Sequence, residues 1–255
     1  IDFGVFIVAI QYFTASSVGY SGIFSGCFPL TDVIDYITIS IPGNAIDFGN
    51  LHVGRQSPAA CSDGSRAAVG GGTTSGPTYR DNIDWFTIAT TGNAVDFGNL
   101  TVARSNFSST SNGSRGIFSG GWTGSTPAKN EIDYITIGTT GNATDFGDLT
   151  VARNMYSAMS DGIRAVWAGG STFSPIDYNT IETPGNSSSF GQLSVTSWRR
   201  SAGCSDGNRG LIGGGDNPNA TDAIDYITIY YASIGTDVVN LSAPAINGLG
   251  ACAGS

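Results

Sequence analysis

Short apolar runs separated by polar turns recur along this chain at a nearly fixed interval. The pattern is clearest in Ile132-Asp133-Tyr134-Ile135-Thr136-Ile137, where Ile, Tyr and Ile are set against Asp and Thr. Such a two-residue period predicts a strand packed against another layer. Copies open at Ile34-Asp35-Tyr36, Ile83-Asp84-Trp85, Ile176-Asp177-Tyr178 and Ile224-Asp225-Tyr226, so successive copies lie 49, 49, 44 and 48 residues apart. Units of this size cannot bury their own apolar face and must stack on neighbours, the mark of a propeller or solenoid.

Each unit predicts four strands, A to D, which in the third unit cover residues 106–111, 115–121, 132–137 and 144–151. Asp63-Gly64, Asn112-Gly113, Asp161-Gly162 and Asp206-Gly207 sit between A and B. Such pairs accept the positive φ of a two-residue hairpin, so A and B are antiparallel neighbours. Strand B ends in glycines, at Gly70-Gly71-Gly72, Gly120-Gly121, Gly169-Gly170 and Gly213-Gly214-Gly215, which suits a backbone closely approached by another blade. Strand D carries one aromatic per unit, Phe48, Phe97, Phe146 and Phe190.

The expected fold is therefore an all-β propeller of four-stranded antiparallel blades of about 44–49 residues, forming a single domain over residues 1–255. Its parts are a leading D strand (1–10), five blades (11–52, 53–101, 102–150, 151–195 and 196–242) and a partial A strand (243–255). Two closures fit this inventory: a ring of five with overhanging ends, or a fragment of a ring of six or seven. The first copy is more apolar than the rest, with Ile10 where the third has Arg104 and Ser21 where it has Arg115. Its run of Val5, Phe6, Ile7, Val8, Ala9 and Ile10 is expected to meet a partner, in a homo- or hetero-oligomer, or a missing blade.

Composition narrows the function. Charged residues are only 12% and Gly is 37 of 255, which suits many short strands joined by turns. A net charge of −9 without a Lys/Arg block argues against nucleic acid as a partner. No stretch approaches the ~18 apolar residues of a membrane span, so membrane insertion is not expected. Neither an initiator Met nor a signal-peptide pattern opens the sequence, implying a processed chain or a piece of something longer. Half of the acidic residues fall in two columns, Asp35, Asp84, Asp133, Asp177 and Asp225, then Asp2, Asp47, Asp96, Asp145 and Asp237. Both columns read as turn and strand-end residues that bond their own backbone, ahead of metal ligands. Cys61 and Cys204 hold the same place in different repeats, so free thiols are expected and the redox compartment stays open.

The order of an Arg, a small-residue strand, a glycine pair, an aliphatic-Asp-Tyr strand and one aromatic resembles the kelch repeat of β-propellers. Arg104, Gly120-Gly121, Asp133-Tyr134 and Phe146 carry the match, with Phe where kelch repeats usually have Trp. The repeated "IDYITI…GNATDFGDLT" text resembles more closely the kelch-like proteins encoded by marine bacteriophages, often grouped with tail or virion proteins. That resemblance covers almost the whole chain. It implies a component of an extracellular particle, folded in the host cytoplasm, whose partners are other virion proteins or a host receptor or glycan. It defines no catalytic residue, and a propeller alone does not fix a function.

Catalytic chemistry finds little to work with. The only histidine, His52, falls in the column of Thr101 and Thr150 and reads as a strand-end surface residue. No Cys/His cluster has zinc spacing, Ser160-Asp161-Gly162 lacks the rest of a sialidase Asp box, and calcium has no D-x-D-x-D-G loop. No enzyme activity, cofactor or metal is expected. Arginines form two columns, Arg66, Arg115, Arg164 and Arg209 opening strand B, and Arg55, Arg104 and Arg153 following strand D, with Arg199 and Arg200 near the matching place. Their forked donors are expected to tie blades to carboxylates or carbonyls, with anionic-ligand contact as the alternative. The sequons at Asn99, Asn106, Asn112, Asn142 and Asn240 arise from the repeat and stay unglycosylated in a phage product.

Antiparallel strands put the A–B and C–D turns on one face and the B–C and D–A connections on the other. The B–C loops differ in length and content, and loops on a rigid scaffold are the usual place for recognition. Tyr79, Arg80, Trp122, Lys129 and Phe173 are the candidate contacts, with Trp198 nearby; loops under little constraint are the alternative. The expected function is a non-enzymatic virion or tail module, structural or receptor-binding. A secreted or cell-surface lectin-like propeller of cellular origin is the alternative, and a propeller hydrolase the least favoured.

Overall fold

The computed structural model describes residues 13–18, 20–27, 30–76, 78–170, 174–194, 199–215, 222–231 and 235–240. They form a five-bladed β-propeller of four-stranded antiparallel sheets, with no helix among them. Blade 1 holds β1 (Thr14–Val18), β2 (Ser21–Cys27), β3 (Thr31–Thr38) and β4 (Ile46–Asn50). Blade 2 holds β5 (Ala59–Ser62), β6 (Arg66–Gly70), β7 (Asn82–Thr87) and β8 (Val95–Asn99). Blade 3 holds β9 (Ser108–Ser111), β10 (Arg115–Gly121), β11 (Lys129–Thr136) and β12 (Thr144–Asp148). Blade 4 holds β13 (Ser157–Ser160), β14 (Arg164–Ala168), β15 (Pro175–Thr180) and β16 (Ser188–Gln192). Blade 5 holds β17 (Ala202–Ser205), β18 (Arg209–Gly213), β19 (Ala223–Thr228) and β20 (Thr236–Asn240). Each sheet runs in chain order, and the five A strands line the axis.

The hairpins form as the turn chemistry predicts. Asp63 Oδ1 accepts the main-chain N–H groups of Ser65 and Arg66, and Asn112, Asp161 and Asp206 repeat the arrangement. Strand C begins earlier than its alternation implies, at Lys129 in blade 3, and strand D stops at Asp148. The reason for the early stop is tertiary. Leu149 still gives its N–H to Asn130 of β11, but Thr150 leaves the sheet because its N–H goes to Asp177 of the next blade.

The core lies between blades. Ile23, Ile34, Phe48 and Leu51 of blade 1 pack on Ala67, Val69, Phe86 and Ile88 of blade 2, and equivalent clusters fill the next three boundaries. A β-bulge makes this possible. Ile83 stands opposite Gly98 but Asp84 opposite Asp96, so Phe97 is an extra residue on the D side. The same shift occurs at Phe48, Phe146 and Phe190, whose buried rings meet Tyr36, Tyr134 and Tyr178 edge to face at 5.7–6.0 Å. Glycines serve close approach where expected. A Cβ on Gly71 would lie 2.6 Å from the Arg104 carbonyl, and one on Gly120 2.7 Å from that of Arg153.

Candidate functional site

The repeated polar residues are consumed in building the ring. Asp84, Asp133, Asp177 and Asp225 lie within strand C, buried, rather than at the turns and strand ends expected of them. Asp133 accepts both the N–H (3.0 Å) and the hydroxyl (2.6 Å) of Thr101, which follows strand D of the preceding blade. Thr150 donates to Asp177 and Ser194 to Asp225 in the same way, while His52 gives Asp84 its N–H. The carboxylate is drawn inward because the crossover delivers donors that only a buried acceptor can satisfy.

The arginines after strand D complete this latch. Arg55–Asp84, Arg104–Asp133 and Arg153–Asp177 pair at 3.1, 3.0 and 2.8 Å, with every side chain fully enclosed. Burial lowers the pKa of Arg55 and Arg153, and the facing aspartates oppose that shift. Arg200 has φ +55 and joins Ser57, Asn106 and Met155, two places beyond this column rather than in it. In the aligned sequence Trp198 takes the arginine place, and it lies outside the described residues.

The strand B arginines bridge blades on the turn face. Arg66 sits 4.5 Å over Trp85 of its own blade and donates to the Gly138 carbonyl of the next. Arg115 lies over Tyr134 and donates to Ile181, while Arg164 lies over Tyr178 and donates to Ile229. Sequence reasoning missed a further tie in the Gly-Asn turns between strands C and D. Asn93, Asn142 and Asn186 each accept, at 3.0–3.1 Å, a main-chain N–H from strand D of the preceding blade. Their place in a repeated Gly-Asn pair beside an Ala or Ser was the available signal.

The axis carries a cavity of about 560 Å³ on the turn face and one of about 210 Å³ toward the loop face. Ser17, Ser62, Ser111, Ser160 and Ser205 contribute one hydroxyl per blade to the larger one. Several serine protons along this wall bind the neighbouring blade: Ser109 donates to Ala60, Ser111 to Ser62, and Ser205 to Ser160. Cys61 is buried against blade 3, and burial pushes its thiol up to about 12. Tyr156, beside the smaller cavity, is likewise pushed up to about 12 by burial, and its hydroxyl donates to Ser119. Among the described residues no three carboxylates, cysteines or histidines gather as a metal site.

On the loop face Tyr79, Arg80 and Trp122 come together at the boundary of blades 2 and 3. Tyr79 packs on the blade 3 loop, where a Cβ on Gly124 would lie 2.8 Å from its ring. The Arg80 carbonyl accepts the Arg104 N–H, and Trp122 pairs through its main chain with Ser105. All three side chains are half-buried. Lys129 is not a loop residue but opens β11, repeating the place of Arg80 one blade on, since its carbonyl accepts the Arg153 N–H. It is paired with Glu131 at 3.4 Å. Phe173 and the apolar residues 5–10 lie outside the described residues. Aromatic rings and cationic side chains are the residue types that recognition surfaces commonly use. No protein-family model matches the chain. No curated protein matches it either.

Proposed function

We propose that this propeller is a non-enzymatic module of a virion that binds a glycan or protein surface through its loop face. One observation carries the reading. Tyr79, Arg80 and Trp122 gather at one boundary of that face, whereas the repeated Asp, Arg and Asn side chains are engaged in joining blades. The phage setting rests on the resemblance of the repeat. Aromatic side chains such as Tyr79 and Trp122 suit a sugar face or a planar polar side chain.

The test is binding of the purified protein to a glycan array and to candidate host cells. Tyr79→Ala and Trp122→Ala should each weaken binding by roughly 30-fold, the loss of a contact worth about 2 kcal/mol. The turn-face variant Ile163→Ala should leave it unchanged. Equal binding by all three variants would sink the proposal.

A further inference from the structure

One of the buried arginine latches is left short of acceptors. In the latches of Arg104 and Arg153 the Nη1 group donates to the carbonyl of the residue before the buried Ile of strand C, Glu131 at 3.1 Å and Pro175 at 2.8 Å. Each of these guanidinium groups also lies over an aromatic ring, Phe107 at 5.4 Å or Tyr156 at 5.1 Å. Arg55 differs on both counts. Its Nη2 reaches Val69 and Asp84, but Nη1 and Nε are buried without a hydrogen-bond partner, and Pro58 stands at the aromatic place. In the other two latches only Nε is buried without one. A buried charged donor left without an acceptor is costlier than a neutral one.

A second guanidinium lies close by. Arg80 N–H donates to the Gly72 carbonyl at 2.9 Å, and a Cβ on Gly72 would lie 3.4 Å from Arg55 Cδ, so both arginines flank one glycine. Burial lowers the Arg55 pKa, Asp84 opposes that shift, and the charge of Arg80 adds to it. Among the described residues the Arg80 side chain has no ion pair or hydrogen bond, and its Nε is buried. Lys129, at the same place in blade 3, is paired with Glu131 at 3.4 Å. Blade 2 has Asn82 where Glu131 stands, and the Asn82 amide donates to Asp84 at 3.5 Å. The adjacent carboxylate, Asp81, is exposed.

The charges here do not cancel. Arg55 and Asp84 neutralise each other, and Arg80 adds a positive charge with no carboxylate paired to it. Forked guanidinium donors match the paired oxygens of an oxyanion. Arg80 is only half-buried, and it stands in the same stretch of the loop face as Tyr79 and Trp122.

We propose that Arg80, with the enclosed Arg55 beside it, forms an oxyanion subsite that takes the carboxylate or sulfate group of an acidic sugar. The sugar rests on the recognition role proposed for the loop face, whereas the subsite itself does not. NMR titration of the isotope-labelled full chain with sulfate and with glucuronate, at constant ionic strength, tests the subsite. Both anions should shift the Nε–H signals of Arg80 and Arg55 saturably. Arg80→Gln removes a like charge beside Arg55, so the fold should tolerate it, and it should raise the dissociation constant read at Arg55 at least ~10-fold. Arg209→Gln, on the turn face, should leave that constant unchanged. A shift that never saturates, or saturation that survives Arg80→Gln, would overturn the subsite. On a glycan array, Arg80→Gln should lose at least ~10-fold on sugars bearing carboxylate or sulfate and keep its binding to neutral ones. Glycan binding indifferent to acidic groups and to Arg80→Gln would overturn the subsite and leave loop-face recognition standing. Saturable anion shifts in a protein that binds no glycan would do the reverse. Capture of a glutamate-rich peptide with no acidic sugar bound would overturn the sugar as the source of the oxyanion.

Discussion

Asp133 offers the sharpest test of how the ring is held. Its carboxylate accepts two hydrogen bonds from Thr101 and pairs with Arg104 at 3.0 Å, all without solvent. Asp133→Ala removes these acceptors together and leaves the Arg104 guanidinium enclosed, although its remaining donors still reach the carbonyls of Glu131 and Phe118. Breaking a buried pair from one side costs about 3–5 kcal/mol, most of it the penalty of the stranded charge. For a domain of this size that lowers Tm by on the order of 10 °C. Urea unfolding followed by circular dichroism and tryptophan fluorescence would measure the loss. If the stranded charge dominates, Arg104→Met combined with Asp133→Leu should be more stable than Asp133→Ala alone by at least ~1 kcal/mol. A loss below ~1 kcal/mol for Asp133→Ala, or strictly additive effects in the pair, would refute the reasoning.

Four further outcomes are expected. Gly98→Ala forces a Cβ to within 2.3 Å of the Gly141 carbonyl at a φ of +144, and should cost about 2–4 kcal/mol in the same unfolding assay. Gly138→Ala, with no atom within 4 Å of the new Cβ, should stay within ~0.5 kcal/mol of the parent. Cys61, buried and with its thiol pushed up to about 12, should remain unalkylated by iodoacetamide at pH 8 and react only on unfolding, as site-resolved mass spectrometry would show. Asn142→Ala removes the acceptor for the Asn99 N–H and should cost about 1 kcal/mol by urea titration.

Much of the ring was legible because a repeat states its own period. The Asp-Gly and Asn-Gly turns fix a local conformation that needs no distant partner, and the terminal glycines of strand B and the single Phe of strand D return at matching places in the repeat. What the text could not show was where a polar side chain ends up across a boundary. Asp133 looks in sequence like a turn aspartate, and only the crossover from the preceding blade makes it a buried acceptor. Lys129 reads as a loop residue, yet strand C begins with it.

The sequence by itself determined the blade, the all-β class and the number of complete repeats, since strand alternation and turn residues act within a few positions. Tertiary structure decided that five blades surround the axis and that Arg104, Asp133 and Thr101 form one latch. It also brought Tyr79 and Trp122 to one stretch of the loop face, and made the boundary of blades 5 and 1 unlike the rest. Those outcomes depend on contacts between residues of neighbouring blades, or between the first and last blades, where no local preference of the backbone reaches.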